Sequence, residues 1–273
     1  MLNFKDKKVW ITGGSSGIGL ELAKQLAALG SNICIFARDE NRLKKASTEI
    51  SQMASDKALR ISWQVMDVSD ETNVKNAVLK AVNETGIPDI LINSAGIAGA
   101  GRFEDMLSAE FDHVMKTNVS GTRYVIAAAI PLMKCKGGNI VILSSLAGLV
   151  TMYGYSAYGA SKYALVGMAE ALRQELKKYK ISVTIVCPPE VETPFLDAEI
   201  GKLPAEGKAV KMMAGRLNVA QTSKAIIRGI RKNSFFVIPG KMAKFSWFSK
   251  RFMPSFIMHF VTDCVVFLSS GKK

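Results

Sequence analysis

The chain has 273 residues, with 36 Lys and Arg against 23 Asp and Glu, a net charge of +13 and 48% hydrophobic residues. That length suits one large α/β domain and is ample for a buried core. Four scattered cysteines (Cys34, Cys135, Cys187, Cys264) and two distant histidines (His113, His259) offer no paired spacing, which excludes a disulfide framework and a His/Cys metal centre and fits a reducing compartment.

The first predicted strand covers 8–12, around Val9-Trp10-Ile11. It starts too near the N-terminus to leave room for a cleavable signal peptide, so the expected location is cytoplasmic. The strand runs into Thr12-Gly13-Gly14-Ser15-Ser16-Gly17-Ile18-Gly19 and then into a helical pattern over 18–29. Strand, glycine turn and helix form the context of a dinucleotide fingerprint. Glycines let the backbone turn tightly and approach a pyrophosphate, whose charge is favoured at the helix N-terminus. Gly13, Ser15, Ser16, Gly17, Ile18 and Gly19 are the expected cradle. A second strand over 32–37 ends before Arg38. An acid at that point would bind the ribose 2′-hydroxyl of NAD; an Arg suits the 2′-phosphate and favours NADP(H). Asp39 beside it could pair with Arg38 or repel the phosphate.

Helices over 40–54, 71–84, 108–134, 156–178 and 221–232 then alternate with strands over 60–66, 89–92, 139–143, 181–187 and 235–238. A less regular helical stretch covers 195–213. No Pro/Gly/Ser-rich linker divides the chain. The alternation predicts a Rossmann-type, doubly wound parallel sheet of about seven strands, with ligands across the carboxyl ends. Ser145 follows one such end directly. Tyr158 and Lys162 stand four apart on the next helix, so phenol and ammonium share a face. A neighbouring ammonium favours the phenolate and lowers a pKa that is normally about 10. The result is a proton donor usable near neutral pH, as reversible ketone and alcohol chemistry requires.

These motifs, with Asp67-Val68, Asn93-Ser94-Ala95-Gly96, Asn118, Ser144-Ser145 and Pro188-Pro189-Glu190-Val191-Glu192-Thr193-Pro194, make residues 7–240 resemble the short-chain dehydrogenase/reductase family. Within it, the proline-rich run and Ala37-Arg38 look most like the 3-ketodihydrosphingosine (3-ketosphinganine) reductases. The resemblance implies a catalytic set of Asn118, Ser145, Tyr158 and Lys162, with Asn118 holding a water that feeds protons to Lys162, and Lys162 bonding the nicotinamide ribose. It also places Asp67 and Val68 at the adenine, Asn93, Ala95 and Gly96 at the adenosine ribose, and Val191 and Thr193 at the carboxamide. Ser94 replaces a usual Asn, and Pro189 replaces a usual Gly and removes a backbone N–H. The implied activity is NADPH-dependent reduction of a lipophilic ketone, with a long-chain 3-keto lipid first and a steroid, retinoid or 3-ketoacyl compound as rivals. A non-catalytic NADP-binding sensor is the alternative class. A homodimer or homotetramer is implied as well.

Residues 1–240 are read as the catalytic domain and 241–273 as an extension. Residues 202–273 hold fourteen Lys and Arg against Glu206 and Asp263, so the excess charge lies there. Phe245, Phe248, Phe252, Phe256 and Phe260 recur at helical spacing beside Lys241, Lys244, Lys250 and Arg251. The apolar run from Phe252 to Leu268 is shorter than the roughly 20 residues of a spanning helix. An interfacial helix on anionic lipid is one reading; packing on the enzyme's own cleft or in a subunit interface are the others. No nucleic-acid module is visible. Phe195, Leu196, Leu203, Met212 and Met213 are read as an apolar lid.

Overall fold

The computed structural model describes residues 2–193, 203–212 and 215–270. Strands β1 (Lys8–Thr12), β2 (Asn32–Ala37), β3 (Ile61–Val65), β4 (Ile90–Asn93), β5 (Gly138–Leu143) and β6 (Ile181–Val186) alternate with helices α1 (Gly17–Ala28), α2 (Glu40–Met53), α3 (Glu71–Thr85), α4 (Ser108–Met115), α5 (Gly121–Met133) and α6 (Ser156–Glu175). Beyond them come β7 (Glu190–Val191), α7 (Ala205–Met212), β8 (Arg216–Leu217), α8 (Val219–Arg231), β9 (Phe236–Val237), α9 (Lys241–Phe252) and α10 (Ser255–Ser270). Seven strands form one parallel sheet in the order β3-β2-β1-β4-β5-β6-β9. The order reverses between β1 and β4, and a doubly wound sheet opens its ligand crevice at such a switch, outside the carboxyl ends.

Successive strand residues face opposite sides, so a sheet covered on both faces needs apolar side chains at nearly every position. Trp10, Phe36, Leu91 and Ile140 pack with Val78, Ile126 and Leu165 on one side. Ile11, Ile35, Ile92 and Val141 pack with Leu26, Leu43 and Ile226 on the other. Asp39 and Asp70 start α2 and α3 by accepting from the Arg42 and Asn73 N–H groups, each at 3.0 Å.

Three features depart from the sequence reading. The helix expected over 108–134 is split by a π-helical turn at Lys116–Ser120. A two-residue pair, β7 with β8, sets Glu190 opposite Arg216. The apolar run after 252 does not continue α9; extended backbone at Met253, before Pro254, separates α9 from α10. Part of the extension belongs to the main core: Ala243 is buried, and the Trp247 ring stacks on Phe236 at 6.1 Å. Helix α10 then runs against α7. Of the expected lid, Phe195, Leu196 and Met213 lie outside the described residues, while Leu203 is buried.

Candidate active site

The glycine turn is shaped by close approach. Gly13 has φ +66°, and a Cβ there would sit 2.9 Å from the Ala95 nitrogen; a Cβ on Gly19 would lie 2.3 Å from the Gly13 oxygen. Thr12 Oγ1 accepts from the N–H groups of Ser94 (3.2 Å) and Ala95 (3.1 Å), tying the ends of β1 and β4 together. Ser16 precedes α1 without a side-chain cap, and the first turn of α1 carries no acid. Its N–H groups and the positive end of its dipole therefore have no carboxylate of that turn against them. A bare helix start behind glycines that no side chain could replace fits a pyrophosphate.

At the far end of the turn Arg38 is exposed. Asp39 is engaged elsewhere: one oxygen caps α2 and the other lies 3.7 Å from Arg42 Nε. Asp67 accepts from both the N–H (2.9 Å) and the hydroxyl (2.8 Å) of Ser69. Burial pushes its carboxyl up, but these bonds together with Arg38 and His113 hold it below the usual value. Val68 is buried against the spot where a Cβ on Gly121 would fall. Asp67 and Arg38 thus interact electrostatically.

The remaining groups converge where β5 ends and α6 begins. Ser145 leaves β5 and caps a short 3-10 turn, Leu146–Gly148, its Oγ accepting from the Ala147 N–H at 3.2 Å. Lys162 is 6% exposed, and its Nζ donates to the Leu143 carbonyl at 3.0 Å while lying 5.4 Å from the Tyr158 ring centre. Burial lowers its pKa to about 8, opposed weakly by Cys187. Burial also pushes the Cys187 thiol up to about 12. Ser144 donates to the Lys162 carbonyl at 2.8 Å, and a Cβ on Gly148 would lie 2.6 Å from that same oxygen. The strand end and α6 are therefore locked at one register, and Ser145 and Tyr158 line one cleft.

Asn118 sits in the π-helical turn and is fully buried. Its Oδ1 accepts from the Ile97 N–H (2.8 Å), and its Nδ2 donates to the Ile97 carbonyl and to Ser161 Oγ, each at 3.0 Å. The side chain thus joins three segments around Lys162. A Cβ on Gly96 would meet both Asn118 Oδ1 (3.1 Å) and Lys162 Nζ (3.7 Å).

A cleft of about 220 Å³ gathers most of the expected residues: Gly13, Ser16, Gly17 and Ile18, then Ala95 and Gly96, then Ser145, Tyr158 and Lys162, and finally Val191 and Thr193. Ser15, Gly19, Arg38, Asp67, Val68, Asn93 and Asn118 are not in its walls. Gly19, Asn93 and Asn118 are buried supports, Asn93 reaching the Val141 carbonyl at 3.3 Å. Met152, Tyr155 and Glu190 also line the cleft, and the sequence reading gave none of them a role. Tyr155 had a usable signal, since it falls three residues before Tyr158 and so on the same side of one turn. Met152 is a wall of a second, apolar groove shared with Phe103, Tyr153 and Tyr163. Over this region Arg102 Nη2 pairs with Glu206 Oε1 at 3.1 Å, joining the loop after β4 to α7.

The sequence profile of the short chain dehydrogenase family matches residues 7–202. The chain is 35% identical over 236 residues to the 3-dehydrosphinganine reductase of Danio rerio, spanning 86% of this chain and 71% of that protein. It is 35% identical over 229 residues to the 3-ketodihydrosphingosine reductase of Bos taurus, spanning 83% and 69%. Among solved structures, a short-chain type dehydrogenase/reductase from Mycobacterium ulcerans superposes with a TM-score of 0.78 at 25% identity, covering 88% of this chain and 91% of that one.

Proposed function

Because the chain belongs to the short-chain dehydrogenase family, we propose that it reduces the ketone of a long-chain 3-keto lipid, 3-ketosphinganine, to the alcohol with NADPH. The observation that carries this reading is that Ser145, Tyr158 and Lys162 line the same cleft as the glycine turn. NADPH supplies the hydride when bound. Tyr158 gives its phenolic proton to the carbonyl oxygen as negative charge develops there. Ser145 donates a hydrogen bond to the same oxygen, a fixed dipole aimed at the charge that forms. Lys162, seated in the buried floor, provides the positive charge that favours the phenolate left behind. Asn118 acts as a positioning residue, pinning the loop after β4 to α6 and so fixing Lys162.

Gly13, Ser15, Ser16, Gly17, Ile18 and Gly19 would hold the pyrophosphate, and Asp67, Val68, Asn93, Ala95 and Gly96 the adenosine. Val191 and Thr193 would hold the carboxamide. NADP(H) is favoured over NAD(H) because Arg38 stands free of Asp39's cap and has a forked donor for a 2′-phosphate. A long hydrocarbon tail suits the apolar groove that shares Met152 with the cleft. The deciding experiment follows NADPH absorbance with 3-ketosphinganine beside a panel of steroid, retinoid and 3-ketoacyl ketones. A higher kcat/KM for any panel member than for 3-ketosphinganine would overturn the substrate assignment.

The extension fits an anionic membrane surface. Phe248 and Phe260 are 54% and 69% exposed, and Phe245, Phe252 and Phe256 are exposed with them. Lys241, Lys244 and Arg251 share α9 with three of these rings. Exposed rings beside cations match a headgroup boundary, where apolar burial and charge attraction act together. Among the described residues no helix is long and apolar enough to cross a membrane, so the contact would be peripheral. Sedimentation with phosphatidylserine vesicles tests it: Phe245→Ser, Phe248→Ser and Phe252→Ser combined should leave the protein in the supernatant. A concentration-dependent shift in mass on removing those rings, with vesicle binding unaltered, would instead assign the face to a second copy of the chain.

A further inference from the structure

Tyr163 follows Lys162 on α6 but lines the second groove rather than the catalytic cleft. It takes no part in the proton or hydride transfer. Its phenol nonetheless reaches the segment that carries Ser145. Tyr163 Oη donates to the Leu149 carbonyl at 2.5 Å, and Leu149 closes the 3-10 turn that Ser145 opens. A phenol has one proton to give, and its oxygen can also accept. With that proton on Leu149, the oxygen accepts from Lys250 Nζ of α9. The same ammonium stands 5.1 Å from the centre of the Tyr163 ring. A cation on the accepting oxygen polarises the phenol and strengthens the bond it donates.

The turn is short, the three residues Leu146–Gly148, yet a catalytic hydroxyl has to be held to about 0.5 Å of its productive place. Before Ser145 the chain is tied by Ser144 to the Lys162 carbonyl, and just after it by the Leu146 N–H to the Pro188 carbonyl at 2.7 Å. Those two ties are in the interior. The tie at Leu149 lies at the surface, and there the C-terminal extension takes hold. Ala243, Trp247 and Lys250 are spaced four and three apart, so they share one face of α9. Ala243 is in the core and Trp247 is packed against it, which fixes the helix that brings Lys250 to Tyr163.

Resting on the ketone reductase function proposed above, we infer that Tyr163 and Lys250 are positioning residues for Ser145, so that the C-terminal extension takes part in catalysis.

Tyr163→Phe keeps the ring in its groove and removes both hydrogen bonds. With NADPH and 3-ketosphinganine it should lower kcat about fivefold, the usual worth of one such bond, and leave the KM for NADPH unaltered. Lys250→Met should lower kcat by a smaller factor, and Lys250→Arg should restore it. The double variant should be no slower than Tyr163→Phe, because both changes act through one bond. Multiplied losses would separate the two residues and overturn the inference. So would a lowered Tm with kcat unaltered, which would make both contacts merely structural. Amide hydrogen exchange gives a reading that needs no turnover. The N–H groups of Gly148, Leu149 and Val150 are bonded within the turn, and in Tyr163→Phe they should exchange faster. Unaltered exchange there would overturn the inference and leave the reductase reading intact. Faster exchange in a protein whose native form turns over no ketone would sink the reductase reading alone.

Discussion

Lys162, Ser144, Ser161 and Asn118 are buried and hydrogen-bonded to one another's segments, whereas along α9 and α10 the large rings of Phe248, Phe256, Phe260 and Phe267 face outward. The catalytic end of the molecule turns these four polar groups inward and gives each a partner; the C-terminal end turns apolar groups outward and leaves them uncovered by the described chain. Each arrangement is costly unless something compensates. A buried polar group needs its partner, and an exposed apolar patch needs a surface to cover it. The compensation in the first region is internal and can be named bond by bond. In the second nothing among the described residues supplies it, which is why the same physical reasoning ends in chemistry for one region and in a proposed association for the other.

The largest expected effect falls in the first region. Tyr158→Phe keeps the ring and its 5.4 Å contact with Lys162 but removes the proton, so kcat should fall about a thousandfold, within the range for general acid catalysis. NADPH binding, followed by its fluorescence, should change little. Retained turnover would show that the internal hydrogen-bonded region is only scaffold. Next in size is cofactor choice. Arg38→Asp places a carboxylate where the 2′-phosphate is expected, and the ratio of kcat/KM for NADPH over NADH should drop about a hundredfold through loss of a bidentate, charge-assisted contact. An unaltered ratio would leave Arg38 as a solvated strand end.

The two regions also differed in what the sequence disclosed. Tyr158 and Lys162 were legible because a helix fixes residues four apart on one face whatever surrounds it. The seven sheet strands were legible because a parallel sheet covered on both faces demands unbroken apolar runs. Pairings across long separations were not: Arg102 meets Glu206, and Glu190 meets Arg216, only because loops fold together, and no local pattern encodes that. The π-helical turn at Asn118 escaped for a related reason, since its stabilising bonds to Ile97 and Ser161 come from other segments. On α9 the phenylalanine period predicted a helix with an apolar face. It gave no sign that Ala243, ahead of those rings, and Trp247, between two of them, would turn inward instead.

The pH dependence sharpens the first half of the comparison. Burial brings Lys162 to about 8, and the proposed role needs its ammonium form. The kcat/KM of the free enzyme should therefore hold below about 8 and fall roughly tenfold per unit above it. Folding responds with the opposite sign. The folded value is depressed from 10.5, so between about 8 and 10.5 the unfolded chain binds more protons, and this group's contribution makes stability rise with pH. A profile flat to pH 10 would mean that Lys162 is not the charge on which Tyr158 depends.

The smallest effect separates two rings only two residues apart on α9. Trp247 is partly buried and stacked on Phe236, while Phe245 is exposed. Trp247→Ala should lower stability by about 1–2 kcal/mol, less than a fully buried Trp because part of its surface is already wet. Phe245→Ala should stay within about 0.5 kcal/mol, as surface changes do. Vesicle sedimentation should rank them in reverse, with Phe245→Ala weakening retention and Trp247→Ala sparing it. If Phe245→Ala proved the more damaging in thermal unfolding, the outward face of α9 would be packed in solution, and a protein partner would replace lipid as its cover.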